Sequence, residues 1–331
     1  MCCYILVQNI VGFLILNIEN RIIELSITDI YMNGYELLEN ESMANHCTFK
    51  AGGIASRVYK VFSIEGLENV LNICLEEGVK PLIFGNGSNI LVSDKGISTP
   101  VIIIDKGFDN IKVEGNIIKA EAGAMLSAIS HKALENGLTG VEFASGIPGT
   151  VGGAVVMNAG AYGGEMVDVV KEVDVIVLDN TKSLNTNSLI RKTLTNKDMD
   201  FSYRHSRAMD EEMIIVGVTL ELTPGEKEEI SFKMNDFNSR RRDKQPLEFP
   251  SAGSTFKRPE GYFAGKLIMD SGLAGTSVGG AMVSPKHCGF IVNKGNATAT
   301  DIYELIKNVQ STVKERFDVV LEPEVKLIGE F

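Results

Sequence analysis

"GIPGTVGGAVVMNAGAYGG" occupies residues 146–164, and seven of its nineteen residues are glycine. Glycine lowers helix or strand stability by roughly 0.5–1 kcal/mol relative to alanine, so a run this rich needs a reason for excluding side chains. The segment has too few polar side chains for a surface linker and too many glycines for an ordinary helix. Pro148-Gly149 followed by Thr150 looks like a helix entry, and Asn158 is the one amide. A second cluster, "GNGSN" (85–89), lies between two short apolar runs, "PLIF" (81–84) and "ILVS" (90–93), that read as strands. A strand on both sides is neither a Rossmann fingerprint nor a P-loop, since each needs a helix directly after the turn. Consecutive small residues can still turn N–H groups inward as an anion nest, with Ser88 and Asn89 adding donors. Taken singly, the two clusters also fit a tight hairpin at 85–89 and a glycine-lined packing surface at 146–164. Together they point to backbone amides held near a planar, phosphate-bearing ligand, a dinucleotide cofactor.

Around these clusters the chain alternates irregularly between strands and helices. "SIEGLENVLNICLEEG" (63–78) reads as a helix with Ser63 as N-cap, apolar residues at Leu67, Val70, Leu71 and Cys74, and a glycine stop. "AMLSAISHKALENG" (124–137) is a second helix. "VIIID" (101–105), "VDVIVLD" (173–179) and "MIIVGVTLEL" (213–222) are strands, and "IKVEGNIIKAEAG" (111–123) alternates around a Gly-Asn turn as a hairpin does. Residues 21–45 read as a polar helix. Pro224-Gly225 marks a domain boundary, followed by a charged helix over about 226–243. Thr298 or Thr300 caps a later helix in which Ile302, Leu305, Ile306, Val309 and Val313 share one face, and "VVLEPEVKLIG" (319–329) reads as a closing strand. The pattern implies an α+β fold rather than a doubly wound parallel sheet.

A length of 331 residues suits two or three domains, and 44% hydrophobic residues support buried cores. The formal charge of −11 speaks against sequence-independent binding of nucleic acid or anionic lipid. Five cysteines form no CxxC pair and read as reduced thiols, and the four histidines have no metal-ligand spacing, so no metal site is expected. The apolar stretch 4–18 is interrupted by Gln8 and Asn9, is short for a membrane span, and has no preceding Lys or Arg. It reads as a packed strand or helix, or as residues upstream of the true start.

"FKAGG" (49–53), the two glycine clusters, "YRHS" (203–206), "PSAGSTFKRP" (250–259), "AGKLIMDSGL" (264–273), "VSPKHCGFIVN" (283–293) and "LEPEVKLIGE" (321–330) run in order along residues 42–331. In these motifs the chain resembles the UDP-N-acetylenolpyruvoylglucosamine reductase family. The resemblance implies an FAD-binding domain of the vanillyl-alcohol-oxidase (PCMH) type, in two subdomains over about 45–110 and 111–224. An N-terminal extension and helix (1–44) would precede it, and an α+β substrate domain (225–331) would follow. It also implies a cytoplasmic enzyme of peptidoglycan precursor synthesis, taken to be a monomer. Such an enzyme reduces the vinyl ether of UDP-GlcNAc-enolpyruvate to UDP-N-acetylmuramate, with FAD and NADPH as cofactors.

In the family the glycine segments hold the FAD diphosphate and flavin. That assigns to the cofactor Gly53, Gly85, Asn86, Gly87, Ser88 and Asn89, together with Ile147, Pro148, Gly149, Thr150, Gly152, Gly153, Asn158 and Gly160. Arg204 matches the residue that holds the substrate carboxylate, a role suited to a permanently charged, bidentate guanidinium. Glu324 matches the catalytic glutamate and is read as assisting the enolate in protonated or proton-sharing form, since a bare carboxylate would repel it. Ser254 matches the proton donor. Tyr203, Arg242, Lys257, Arg258 and His287 are further substrate-binding candidates. Only fifty residues separate Arg204 from Ser254, so the chain resembles the shorter second type of the family, without a tyrosine-bearing loop. The competing expectations are an FAD oxidase or dehydrogenase of another small molecule, or a non-catalytic flavin or UDP-sugar binding protein.

Overall fold

The computed structural model describes residues 13–18, 21–26, 33–104, 106–179 and 188–331. The N-terminal part of the apolar stretch, residues 4–12, lies outside the described residues; Phe13–Ile18 is a strand antiparallel to Arg21–Ser26. Among the described residues of 21–45, strand largely replaces the expected helix. Besides Arg21–Ser26, its range contains the strand Tyr35–Ser42, which forms the edge of a four-stranded sheet. The register explains the misreading. Glu36 faces Lys60 and Glu39 faces Arg57 across the antiparallel partner Ile54–Val61, so the charges that suggest a solvated helix sit opposite cross-strand countercharges.

Val101–Ile104 and Leu82–Phe84 complete this sheet in parallel register. Helix α1 (Ile64–Glu76) covers it. Its Ser63 side chain caps the Gly66 N–H at 3.1 Å, as the sequence predicts. A second, antiparallel sheet runs in the order Ser188–Thr195, Val170–Asp179, Met213–Glu221, Ile117–Glu121, Ile111–Glu114, the last two forming the expected hairpin. Helices α2 (Leu126–Glu135) and α3 (Val151–Val156) pack on it. The two lobes share one core, in which Leu67 and Ile102 join Ile118, Leu126, Val151 and Val218.

Helix α4 (Lys227–Lys244) packs on α2 and on the turn Glu142–Ala144, burying Ile230, Met234 and Arg241. Packing thus groups α4 with the second lobe, whereas the expected division after Pro224-Gly225 put it in the substrate domain. The remaining C-terminal residues build a second core from α5 (Ala264–Asp270), the three-stranded sheet Ser277–Val278, Ala281–Val283, Ile291–Asn293, and α6 (Ala299–Phe317), which Cys47, Phe49, Ala51 and Leu91 of the first lobe join. The Thr298 capping box starts α6, and Ile302, Leu305, Ile306, Val309 and Val313 are all 0% exposed. Each such side chain contributes on the order of 2 kcal/mol of transfer free energy before entropy is counted.

The closing segment is not one long strand. Only Lys326–Ile328 is extended in a ladder, parallel to Ile90–Val92 of the first lobe. Leu82–Phe84 and Ile90–Val92, which flank "GNGSN", do not pair with each other, so that cluster is not a hairpin turn. Asp94 adds a second tie between lobes. Its carboxylate accepts from Ala299 N (2.9 Å), Thr300 N (2.7 Å) and Thr300 Oγ1 (2.7 Å) at the start of α6.

Candidate active site

The three parts enclose a cleft of about 1120 Å³. One wall is the pair of glycine segments. They are tied together by Asn86 Nδ2, which donates to the Pro148 carbonyl at 2.8 Å, and by close approach: a Cβ on Gly85 would lie 2.3 Å from Thr150 Oγ1. Thr150 caps α3, so the expected helix entry is present. The rest of the lining comes from α4, which packs against Gly146, from residues 251–269 and from residues 285–290, and the chain's last turn and strand close one end with Glu324, Lys326 and Ile328.

Residues of the glycine run answer to different constraints. A Cβ on Gly152 would sit 2.9 Å from Ala122 Cβ and 3.1 Å from its carbonyl oxygen, and one on Gly164 would sit 2.6 Å from the Phe143 ring. These glycines permit packing within the protein. Gly149 and Gly153 line the cleft instead, and the nearest atom to a Cβ on Gly153 is Thr150 Oγ1 at 3.6 Å. Their missing side chains make a cradle that a methyl group would fill. Beside it, Arg241 lines the cleft with its guanidinium against Gly146; it is 9% exposed, and its buried Nε has no hydrogen-bond partner. A buried guanidinium N–H is costly to leave unpaired. A flat glycine cradle bordered by a guanidinium fits an anionic, planar cofactor such as FAD.

Of the residues expected to bind the cofactor, Gly85, Asn86, Gly87, Ser88, Asn89, Ile147, Pro148, Gly149, Thr150, Gly153 and Gly160 line the cleft. Gly53, Gly152 and Asn158 do not. Gly53 is glycine because a Cβ would lie 2.4 Å from the Asp94 carbonyl oxygen. Asn158 is 1% exposed and spends its side chain on neighbouring loops.

Arg204, Ser254 and Glu324 all line the cleft, although they stand on three separate segments. Arg204 occupies a two-residue turn between Ser202 and His205, which exchange backbone hydrogen bonds of 3.1 and 3.2 Å. Its Nε donates to Glu324 Oε1 at 3.0 Å, its Nη2 to the Gly160 carbonyl at 3.0 Å and its Nη1 to the Asn158 carbonyl at 3.5 Å. Both side chains of the Arg204–Glu324 pair are 16% exposed. Glu324 is placed by backbone contacts: its N–H donates to the Thr255 carbonyl at 2.8 Å, and its carbonyl accepts from Asn89 Nδ2 at 3.0 Å. Thr255 is the residue after Ser254, so one backbone bond couples the two candidate catalytic segments. Desolvation pushes the Glu324 carboxyl above the ordinary carboxylate range, against the opposing pull of Arg204, Lys257 and Lys326.

Tyr203, Arg242, Arg258 and His287 also line the cleft. The Tyr203 hydroxyl accepts from Arg258 N at 3.2 Å, and the Arg258 guanidinium lies 4.0 Å from the centre of the Phe263 ring. Burial pushes the His287 imidazole below its ordinary value, toward the neutral form. Lys257 is outside the cleft wall, with its Nζ 3.1 Å from Glu322 Oε2. Asn238, Arg241 and Gln245 line the cleft beside Arg242, and of these Asn238 and Gln245 are not singled out by the sequence. Their spacing of three, four and seven residues on a charged helix was an available signal of a shared face.

Among the described residues no helix is long and apolar enough to cross a membrane. Residues 55–185 match the family model of an FAD binding domain. Residues 245–328 match the model of the C-terminal domain of UDP-N-acetylenolpyruvoylglucosamine reductase, beginning just after α4. The UDP-N-acetylenolpyruvoylglucosamine reductase of Agathobacter rectalis is 50% identical over 307 residues, covering 89% of this chain and 95% of that one. That of Caldanaerobacter subterraneus is 52% identical over 295 residues, covering 89% and 94%. The crystal structure of the Thermus caldophilus enzyme is 33% identical and superposes with a TM-score of 0.75, covering 89% of this chain and 99% of that one. At that identity and coverage, with both domains matched in order, the chain belongs to the UDP-N-acetylenolpyruvoylglucosamine reductase family.

Proposed function

We propose that this chain reduces UDP-N-acetyl-3-O-(1-carboxyvinyl)-glucosamine to UDP-N-acetylmuramate in peptidoglycan precursor synthesis, with FAD as bound cofactor and NADPH as reductant. The observation that carries the proposal is the Arg204–Glu324 pair, set in the same cleft as Ser254 and facing a glycine-lined wall with room for a planar group. Reduction of a vinyl ether conjugated to a carboxylate drives charge into that carboxylate, and donors fixed in advance at such a position lower the barrier most. FAD, when bound along Gly149 and Gly153, supplies the hydride that NADPH replenishes.

The protein's own residues do the rest. Arg204 carries five N–H donors. Three of its nitrogens make the contacts to Glu324, Asn158 and Gly160, which leaves two N–H groups for the substrate carboxylate. The upward push that burial gives the Glu324 carboxyl favours sharing a proton toward the same oxygens, where a bare carboxylate would oppose the developing charge. Ser254 Oγ–H protonates the carbon next to the carboxylate. Arg242 and Arg258 at the cleft wall suit the substrate diphosphate. Lys257 is paired with Glu322 and is a weaker candidate for that task. We infer a cytoplasmic monomer, and sedimentation of the purified protein tests the oligomeric state.

An anaerobic experiment in two halves tests the assignment. NADPH should bleach the yellow protein, and UDP-GlcNAc-enolpyruvate should restore its colour. Ser254→Ala should bleach at nearly the wild-type rate and recover about a hundredfold or more slowly, the usual range for loss of a positioned proton donor. Equal slowing of both halves removes Ser254 from the proton-donor role. Bleaching with no recovery in the wild type leaves a flavoprotein that does not act on this substrate.

A further inference from the structure

We infer that Asn158 is the positioning residue of Arg204, gripping it at both its backbone turn and its guanidinium. The inference rests on the proposed role of Arg204 toward the substrate carboxylate. Asn158 Nδ2 donates to the Ser202 carbonyl at 3.0 Å, on the residue pair that closes the Arg204 turn, and to Glu165 Oε2 at 3.0 Å. Asn158 Oδ1 accepts from Val167 N at 2.9 Å. The Asn158 carbonyl accepts from Arg204 Nη1 at 3.5 Å, and the other oxygen of Glu165 lies 3.7 Å from the same Nη1. Both Nδ2 protons and one Oδ1 lone pair are thus used, and none of them is directed into the cleft.

The need for such a grip comes from the backbone. Arg204 has φ +56°, a left-handed conformation that a residue with a Cβ adopts only when its surroundings hold it there. Asn158 has φ +44° itself, and asparagine is one of the few residues that tolerate this region. The turn of one residue and the bend of the other therefore support each other. Without the Nδ2–Ser202 bond the Arg204 turn keeps its own two backbone bonds and the Tyr203 hydroxyl contact with Arg258 N, but loses the side-chain tie that aligns it with the line set by Glu324 and Gly160.

Asn158→Gly keeps the left-handed backbone accessible and deletes only the side-chain grip. Glu165→Ala removes the carboxylate that Asn158 Nδ2 and Arg204 Nη1 share, from a more exposed position, and provides the test if Asn158→Gly does not fold. For either variant the expected result is FAD affinity within about twofold of wild type, by flavin fluorescence titration, and unchanged bleaching by NADPH. The KM for UDP-GlcNAc-enolpyruvate should rise and flavin reoxidation should slow, together by about tenfold to a hundredfold, the scale of a misplaced binding group. In an Arg204→Met background the same substitution should add less than about twofold, because the group it positions is gone. Weakened FAD binding with normal reoxidation would make Asn158 a cofactor residue and overturn the inference, as would full additivity with Arg204→Met. If Arg204→Met alone leaves reoxidation intact, the reading of Arg204 itself fails, and that outcome is separable from the other two.

Discussion

Two adjacent glycines give opposite forecasts. Gly152 and Gly153 both lie in α3, so exchanging either for alanine gains about the same intrinsic helix stability, roughly 0.8–1 kcal/mol. At Gly153 nothing offsets the gain, since the nearest atom to the new methyl is Thr150 Oγ1 at 3.6 Å. The apoprotein should melt about 1–3 °C higher for a chain of this size. At Gly152 the methyl meets Ala122 Cβ at 2.9 Å and the Ala122 carbonyl oxygen at 3.1 Å, and the Gly152 N–H is already bonded to that carbonyl at 3.0 Å. Overpacking against the Ala122 backbone costs about 1–3 kcal/mol, which cancels or exceeds the propensity gain. Ligand binding should show the reverse order. Gly153→Ala projects its methyl into the cleft and should weaken FAD binding by about tenfold or more, a loss of at least 1.4 kcal/mol. Gly152→Ala, facing away, should leave the affinity of the folded protein unchanged. Scanning calorimetry of the apoproteins and fluorescence titration with FAD read the two effects separately. A Gly153→Ala protein that binds FAD like wild type, or a Gly152→Ala apoprotein more stable than Gly153→Ala, would refute this division of the glycine run.

Two further perturbations follow from charge. Removing the Asp94 carboxylate as Asp94→Ala should cost about 1 kcal/mol, the scale of a lost helix cap, by releasing α6 from the first lobe. Desolvation raises the Asp94 pKa, but bonds from Thr300 and Ala299 outweigh it and hold the carboxyl below its ordinary value. Its contribution is therefore present above the unfolded carboxylate pKa and lost as pH falls through the lower folded value, so wild-type and variant urea midpoints should converge in acid. Glu324 has the opposite sign: burial raises its pKa. The stability linked to its proton is present below the unfolded value and lost as pH rises through the folded one. Reoxidation by the enolpyruvyl substrate should slow over the same rise, and Glu324→Gln should be slower but flat there. A Glu324→Gln enzyme with the wild-type pH profile assigns the titration to another group.

Local signals were legible wherever a few neighbouring residues settle the backbone. The Ser63 and Thr298 caps, the hairpin around Gly115-Asn116 and the amphipathic spacing of α6 are decided within a turn or two of chain. The strand Tyr35–Ser42 was not legible, because its glutamates find Arg57 and Lys60 only after the sheet forms. The long strand expected at the C-terminus shrank to three residues for the same kind of reason, since its partner Ile90–Val92 is short and over two hundred positions away.

The sequence by itself marked where side chains are excluded and, through its motifs, which arginine, serine and glutamate to watch. Folding alone decided that Arg204 and Glu324 meet at 3.0 Å across 120 residues of chain, that Gly152 faces the Ala122 backbone while Gly153 faces the cleft, and that Asn158 turns its amide away from the cleft toward the Arg204 turn. Residue type fixes what a group can do at contact. Direction is set by which face of each element is buried, and burial depends on partners that lie far away along the chain.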